Sequence, residues 1–186
     1  MGEANTVYVL IGQRGSGKTY YGQRLKDNQP ELSIVSRDEI LMRIFGSVYL
    51  SPYSRDHELA RKITSRLLRR KLSIRTGVVL VLDLWVGDSP ARKNLVDKLR
   101  EFGATRVVAL YFVTRLEMVN QWFWLKPGIA KMSEMKMRKG EGLRFFSESA
   151  PANDYEIFHK NASQIDSDGF DEVIRVDPEK DLIFLT

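Results

Sequence analysis

The stretch GQRGSGKTYYGQ, residues 12–23, places three glycines, a lysine and a threonine directly after the apolar run TVYVLI at residues 6–11. The run is short, rich in β-branched residues and almost entirely apolar, which predicts a strand buried on both faces. The glycines predict a loop, followed by a helix through about Lys26. Glycine loses more conformational entropy on folding than any other residue, so three of them in a short loop indicate a backbone with a task other than stability.

The loop matches the pattern G-x-x-x-x-G-K-[S/T] in full, with Gly12, Gly17, Lys18 and Thr19 at the defining positions. In this pattern backbone N–H groups point at phosphate oxygens, and the N-terminus of the following helix adds partial positive charge. Lys18 is expected to reach the β- and γ-phosphates of a nucleotide, and Thr19 to place its hydroxyl on Mg²⁺. The predicted nucleotide-binding residues are Gly12, Gln13, Arg14, Gly15, Ser16, Gly17, Lys18 and Thr19. The alternative, a flexible loop that fits by chance, is expected in under about 1% of chains of this length.

The composition is that of a globular protein. The chain has 186 residues, of which 43% are apolar and 28% charged, and this predicts a single domain over residues 1–186. It has no cysteine and two histidines, His57 and His159, which excludes disulfides and thiolate metal sites and argues against a zinc centre. No apolar run is long enough to span a bilayer, and residues 1–10 lack the features of a signal peptide. We therefore expect a cytoplasmic protein without a membrane partner.

The charge favours a polyanionic partner. Lys and Arg number 29 against 24 Asp and Glu, a formal net charge of +5. Such an excess is typical of proteins that bind nucleic acid or nucleotides, although many other soluble proteins share it. A basic cluster could contact a nucleic-acid backbone or form a solvated helix face; it comprises Arg66, Arg69, Arg70 and Lys71. Nothing in the sequence specifies an oligomeric state.

Strand-like and helix-like segments alternate along the chain. The strand-like runs are TVYVLI, ELSIVS at residues 31–36, GVVLVLD at 77–83, RVVALYF at 106–112 and GFDEVIRV at 169–176. This alternation predicts an α/β fold with a parallel sheet of about five strands and helices on both faces. Residues 115–150 are expected to be mainly helical and to form a lid, because their middle is basic and is interrupted by Pro and Gly. The last ten residues are expected to form a tail.

The predicted helices carry recognisable faces and ends. In RDEILMRIFG the apolar residues share one face and Gly46 ends the helix. Residues 55–75 place Leu59, Ile63 and Leu67 on one stripe, which predicts a long amphipathic helix. Ser89 followed by Pro90 predicts a helix start with Ser89 as the N-cap.

Two aspartates follow predicted strands, at the edge of a parallel sheet where ligands bind. Asp83 ends the third strand, a position from which a carboxylate can hold Mg²⁺; the alternative is a capped strand end. Leu84 and Trp85 follow it instead of a water-activating glutamate, which favours transfer to a bound acceptor over hydrolysis. Asp38 follows Arg37 after the second strand, where a carboxylate could take the proton of an acceptor hydroxyl. The alternative for Asp38 is an N-cap of the next helix.

The segments GQRGSGKT, SRDEILMR, VVLVLD and DSPARKNLVDKLREFG together resemble the 5′-hydroxyl polynucleotide kinase group of the P-loop phosphotransferases. The similarity extends over most of residues 6–113 and returns at GFDEVIRVDP. It implies a P-loop kinase domain that uses ATP and Mg²⁺, with a nucleic-acid 5′ end as the favoured acceptor. It further implies Asp38 as general base, Lys18 and Thr19 on ATP and Mg²⁺, and Asp83 near the acceptor and the metal.

The residues expected to contact the acceptor and to form the lid match the polynucleotide kinase group less well. Arg37 and Arg43 are the candidate contacts to the acceptor. The family carries an asparagine–arginine pair and further arginines after the fourth strand, whereas here Asn120 precedes Gln121 and Trp122. The cations that cover the phosphates must then come from another part of the chain; the candidates are Lys126, Lys136, Lys139, Arg144 and, as the catalytic choice, Arg138. A lid arginine can contribute several orders of magnitude in rate.

Two other functions stay open on the residues alone. One is a kinase for a small molecule such as a nucleoside, a sugar acid or an antibiotic. The other is a nucleotide-binding module that transfers no phosphate. The aromatic run Trp122–Trp124 could stack on a base or anchor a helix to the sheet, and the second role is the commoner one.

Overall fold

The computed structural model describes residues 4–46, 55–125, 149–181 and 185. Strands and helices alternate within these ranges. In chain order they are β1 (Thr6–Ile11), α1 (Lys18–Asn28), β2 (Ser33–Ser36), α2 (Arg37–Phe45), α3 (Arg55–Ile74), β3 (Val79–Asp83), α4 (Ser89–Glu101), β4 (Arg106–Phe112), α5 (Leu116–Trp124), α6 (Ala150–Ala162), a short 3₁₀ turn (Ile165–Ser167) and β5 (Glu172–Val176).

The five strands form one sheet in the order β2-β3-β1-β4-β5, and every neighbouring pair is parallel. The predicted α/β fold with a five-stranded parallel sheet is therefore confirmed. The register places Asp83 beside Leu10 of β1 and beside Ser36 of β2. The carboxyl ends of these three strands consequently lie side by side, with β1 at the centre of the sheet.

The sheet carries a core on each face, as predicted. Successive residues of a strand point to opposite faces, so Val7 and Val9 of β1 enter one core while Tyr8 and Leu10 enter the other. The first core is completed by residues of α3, α4 and α6, and the second by residues of α1. The second core also takes in Leu185, which is buried.

The prediction that the last ten residues form a tail is therefore wrong for Leu185. Its carbonyl accepts a hydrogen bond from Gln29 Nε2 at 2.9 Å, and its N–H donates to Gln29 Oε1 at 3.0 Å. The side chain of Gln29, just beyond α1, thus replaces a strand neighbour for the main chain at this position.

The helix predicted over residues 55–75 is confirmed as α3, but its predicted apolar stripe is not the buried face. Leu59 and Leu67 are 46% and 37% exposed. The buried residues are His57, Ala60, Thr64, Leu68 and Leu72. This face contains small residues, and the Thr64 hydroxyl satisfies its hydrogen bond within the helix by donating to the carbonyl of Ala60 at 2.8 Å. A polar side chain can therefore be buried there at low cost.

Two helix termini test the predicted caps. Gly46 ends α2 with a φ of 69°, as predicted, although Ile44 is exposed and Leu41 is the buried residue of that helix. For α4 the predicted N-cap Ser89 is wrong, because Asp88 is the cap and accepts a hydrogen bond from the N–H of Ala91 at 2.7 Å. The Ser89 hydroxyl points inward instead.

A buried ion pair holds α4 to the segment before β5. The side chains of Arg92 and Asp168 are both fully buried, and Arg92 Nε donates to Asp168, which also accepts from the Ser89 hydroxyl. The remaining Arg92 nitrogens donate to the carbonyls of Gly87 and Asn161 at 3.1 and 2.8 Å. Arg92 therefore fixes the loop between β3 and α4 against α6 and the 3₁₀ turn.

We expect Asp168→Asn to lower the free energy of unfolding by about 3–5 kcal/mol, because it leaves the buried Arg92 charge without a counter-charge. Chemical denaturation measures this loss. Glu172→Gln is the matched control, since it removes a carboxylate from an exposed pair with Arg106 and should cost less than about 1 kcal/mol. Equal losses in the two variants would contradict a special role for the buried pair.

Candidate active site

A cleft of about 750 Å³ opens at the carboxyl edge of the sheet. The loop of residues 12–19 forms its floor, and Arg14 through Thr19 line it, whereas Gly12 and Gln13 do not. The predicted nucleotide-binding loop is thus part of the cleft for six of its eight residues. The Gln13 side chain is fully buried, and its amide has no hydrogen-bond partner within the described part of the chain.

Two glycines of this loop are required by its shape. Gly15 and Gly17 have φ values of 78° and 88°, a region that other residues rarely adopt. A Cβ atom on Gly15 would lie 2.8 Å from the carbonyl oxygen of Val119, and one on Gly17 would lie 2.8 Å from the ring of Trp122. These two glycines therefore allow α5 to pack directly on the loop.

Lys18 is the first residue of α1 and lies within the curve of the loop. Its Nζ donates to the carbonyl oxygens of Gly12 and Gln13 at 2.7 and 2.8 Å. The loop is fixed from below as well, since the Thr114 hydroxyl donates to the carbonyl of the buried Ser16 at 2.8 Å. A held ammonium group beside the N-terminus of a helix is a suitable environment for an anion.

Arg14 links the loop to two helices. Its Nε is 2.5 Å from a carboxylate oxygen of Asp154 in α6, and its guanidinium lies 5.2 Å from the ring centre of Phe123 in α5. The ion pair is only partly exposed, and the ring contact adds a cation–π attraction. Arg14 therefore serves at least to join the loop to the helices that follow β4.

One side of the cleft, which we call the acidic flank, is formed by residues that follow β2 and β3. It comprises Arg37, Asp38, Asp83, Leu84 and Trp85. Both strands lie on the same side of β1 in the sheet, so the fold brings Asp38 and Asp83 to the cleft that Lys18 and Thr19 also line. Arg43, the other predicted acceptor contact, is exposed in the last turn of α2 and does not line the cleft.

The residues around Asp38 distinguish between its two predicted roles, the N-cap of α2 and a proton acceptor. The N-cap of α2 is Ser36, whose hydroxyl accepts a hydrogen bond from the N–H of Glu39 at 3.4 Å. The alternative prediction that Asp38 caps this helix is therefore wrong. Asp38 pairs with Arg37 at 3.1 Å, and the buried Nε of Arg37 has no hydrogen-bond partner among the described residues. Arg37 also lines the cleft, and its charge is suited to an anionic group there.

The opposite side, the Trp122 flank, follows β4 and β5. It comprises Trp122, Leu125, Pro178 and Glu179. Of the aromatic run, Phe123 is buried and anchors α5 as expected, whereas Trp122 lies against Gly17 and lines the cleft. Pro178 and Glu179 belong to the predicted tail and were not predicted to line the cleft. Their place directly after β5 is the signal that could have identified them, because ligands bind beyond the carboxyl ends of the strands.

Thr19 and Asp83 both line the cleft and supply hard oxygen ligands, which suit Mg²⁺ when phosphate oxygens and waters complete its coordination. Within residues 4–46, 55–125, 149–181 and 185, no three His, Asp or Glu residues come together in an arrangement that would hold a metal ion. Neither His57 nor His159 lines the cleft. No helix in these ranges has the length and apolar character to cross a bilayer.

The predicted lid cations lie outside the described residues. They are Lys126, Lys136, Arg138, Lys139 and Arg144. Their role, including that of Arg138 as the catalytic choice, stays a prediction.

Solved structures of similar fold, two of them named kinases, match the chain at low sequence identity. A chain of the Pnkp1/Rnl/Hen1 RNA repair complex has a TM-score of 0.64 at 15% identity, over 88% of this chain and 47% of that one; this chain thus spans about half of its length. A fungal RNA kinase has a TM-score of 0.57 at 18% identity, over 96% of this chain and 77% of that one. Shikimate kinase from Acinetobacter baumannii has a TM-score of 0.51 at 18% identity, over 94% and 84%.

These similarities show the fold alone, and they confirm the predicted resemblance to the P-loop kinases at that level. Comparison with curated proteins gives no significant match. Residues 7–126 match the model of the AAA_33 family, described as an AAA domain. Because this match covers nearly two thirds of the chain, the protein belongs to the AAA_33 family of P-loop domains.

Proposed function

We propose that the protein is an ATP-dependent kinase that transfers the γ-phosphate to a hydroxyl group, with the 5′-OH of a polynucleotide as the acceptor. The observation that carries this proposal is the shared cleft, which is lined by Lys18 and Thr19 of the loop and by Asp38 and Asp83 of the acidic flank. Phosphoryl transfer depends on positioning and charge stabilisation, so donor and acceptor groups must meet in one cavity.

Each residue then has a defined task. The loop amides and Lys18 bind the phosphates of ATP, and the flat surfaces of Trp122 and Pro178 suit its base. Thr19 and Asp83 would hold Mg²⁺, which supplies positive charge to the phosphates when it is bound.

On the acidic flank, the Asp38 carboxylate accepts the proton of the acceptor hydroxyl as the acceptor oxygen bonds to the γ-phosphorus and the bond to the β–γ bridging oxygen breaks. Arg37 is suited to donate a hydrogen bond to a phosphate of the acceptor strand. A lid cation, for which Arg138 is the candidate, would add charge stabilisation.

Transfer to an acceptor is favoured over hydrolysis by the residues after Asp83. Leu84 and Trp85 follow Asp83 where a second carboxylate would stand in a water-activating site, and both line the cleft. The acidic flank is thus better suited to receive an organic acceptor than to activate a solvent molecule.

A basic groove separate from the cleft offers further phosphate contacts to a polynucleotide. A second concavity, of about 510 Å³, lies between α3 and α4. Its basic residues are Arg61, Lys62, Arg66, Arg69 and Lys98. Arg69 pairs with Glu101 and Lys62 with Glu58, whereas Arg61, Arg66 and Lys98 form no ion pair within the described ranges. Of the basic cluster singled out in the sequence, Arg66 therefore keeps an uncompensated charge for a phosphate backbone.

The proposal is tested by incubating the protein with γ-labelled ATP and separate acceptors: 5′-OH DNA, 5′-OH RNA, nucleosides and shikimate. We expect label at the 5′ end of an oligonucleotide and none on the same oligonucleotide that already carries a 5′-phosphate. Acceptor binding should weaken steeply with salt. A plot of the logarithm of the binding constant against the logarithm of the salt concentration should have a slope of about −0.7 for each phosphate of a single strand that the protein contacts.

Other outcomes have distinct meanings. Label on a small molecule alone, with little dependence of binding on salt, would identify a small-molecule kinase; the shared fold of shikimate kinase is the reason to include it. ATP binding without transfer to any acceptor would identify a nucleotide-binding module.

A further inference from the structure

We propose that Trp85 is the stacking surface for the nucleobase of the acceptor, next to the hydroxyl that receives the phosphate. This rests on the proposed kinase function in one respect only, which is that the ligand of the acidic flank is the acceptor.

Trp85 is placed for this role by the order of the strands. It lies two residues beyond Asp83, is 41% exposed, and lines the cleft together with Asp38. Because β3 and β4 lie on opposite sides of β1, Trp85 and Trp122 stand on opposite sides of the loop. A ligand that presents its hydroxyl to Asp38 therefore lies on the Trp85 side, while the base of ATP has Trp122 beside the loop.

The indole of Trp85 is supported from behind. A Cβ atom on Gly87 would lie 2.5 Å from the indole ring, so glycine at this position lets the ring fold back on its own loop. The Trp85 ring centre lies 6.2 Å from that of the buried Phe158, which in turn is 5.9 Å from that of Tyr111. One part of the indole thus joins a row of aromatic rings while 41% of the residue is left exposed.

The loop that carries Trp85 is anchored at both ends. The carbonyl of Gly87 accepts a hydrogen bond from the buried Arg92 at 3.1 Å, and Asp88 caps α4 through the N–H of Ala91. At the other end, Asp83 is a residue of β3 within the sheet. The indole is therefore held before a ligand arrives, and the entropy lost on binding is reduced accordingly.

A flat, partly exposed indole is suited to a flat ligand. Every nucleobase has a π-face, so stacking needs no particular base and suits a kinase that accepts ends of varied sequence. A non-aromatic acid such as shikimate cannot use this surface and would need paired polar donors instead. The ligand class is therefore a nucleobase, which could belong to the end of a strand or to a free nucleoside.

The first test is kinetic and compares matched tryptophan variants. Trp85→Ala should raise the KM for a 5′-OH oligonucleotide about tenfold to a hundredfold, more than it lowers kcat, with little change in the KM for ATP. Trp122→Ala should have the reverse selectivity, and Trp85→Phe should restore most of the acceptor affinity. The effect of Trp85→Ala should vanish on an oligonucleotide whose first nucleotide lacks its base. An equal effect of Trp85→Ala on the abasic acceptor, or an effect on ATP alone, would overturn the proposal.

The second test needs no transfer and so separates this proposal from the kinase function. The chain has three tryptophans, so a Trp122→Phe/Trp124→Phe variant retains Trp85 as its only indole fluorophore. A 5′-OH trinucleotide should quench this fluorescence, and the abasic trinucleotide should do so at least tenfold more weakly. Binding of a free nucleoside with equal affinity would assign the site to nucleosides, and a weaker response would assign it to strand ends. The absence of quenching by any of these ligands would refute the role of Trp85, even if labelled ATP modifies 5′ ends.

Discussion

Lys18→Ala is expected to reduce phosphate transfer by on the order of a thousandfold or more and to weaken ATP binding. The Lys18 ammonium lies in the curve of the loop, where it bonds the carbonyls of Gly12 and Gln13. Positive charge there stabilises the phosphates in the bound nucleotide and, more strongly, the charge that develops during transfer. Calorimetric titration of ATP and the rate of label transfer measure the two effects.

Lys18→Ala also removes two hydrogen bonds to the loop backbone, so the test needs both a matched lysine control and a check of folding. Lys26→Ala changes an exposed lysine in the last turn of the same helix and should leave both measurements within about twofold of the parent. Denaturation curves should show that Lys18→Ala is still folded. ATP affinity that is unchanged in Lys18→Ala would show that the loop does not bind the triphosphate as proposed.

Asp38→Asn is expected to reduce transfer by on the order of a hundredfold or more while ATP affinity stays almost unchanged. The amide keeps the size of the side chain but cannot accept the proton of the acceptor hydroxyl. Asp38 lies on the acidic flank and Ser36 caps α2, so the variant should keep the helix intact. Single-turnover transfer with saturating ATP and acceptor isolates the chemical step.

Glu39→Gln is the matched control for Asp38→Asn. Both residues are acidic and lie in the first turn of α2, so each substitution removes one negative charge near the same helix N-terminus. Glu39 is exposed and does not line the cleft, and its variant should transfer phosphate at nearly the parental rate. Equal losses of transfer in the two variants would indicate that the helix terminus, rather than a proton acceptor, is what matters.

The loop and the strands could be predicted because their signals are local. Gly12 to Thr19 are consecutive residues, and a backbone that curves around a phosphate needs glycine where φ is positive, as at Gly15 and Gly17. Buried parallel strands need apolar residues on both faces, so each strand can be recognised from its own few residues.

The N-caps of α2 and α4 and the buried face of α3 could not be predicted, because at each place two neighbouring residues or stripes fit the sequence pattern equally well. An acidic first turn fits both a capping and a catalytic Asp38, and only the position of Ser36 excluded the first. Asp88 and Ser89 are equally suitable caps, and the decision came from Asp168, which draws the Ser89 hydroxyl into the core. In α3 two adjacent stripes have helical spacing, and packing on α2 and the sheet selected the one with Ala60 and Thr64.

The sequence alone determines the chemistry of each segment, because a phosphate loop, a buried strand and an aspartate after a strand are each defined by neighbouring residues. Which segments face each other is decided by the order β2-β3-β1-β4-β5. That order depends on how all five strands and their helices pack into the two cores, so no single segment determines it. It places Asp38, Asp83 and Trp85 on one side of the loop and Trp122 and Pro178 on the other, and so separates the proposed sites for acceptor and nucleotide.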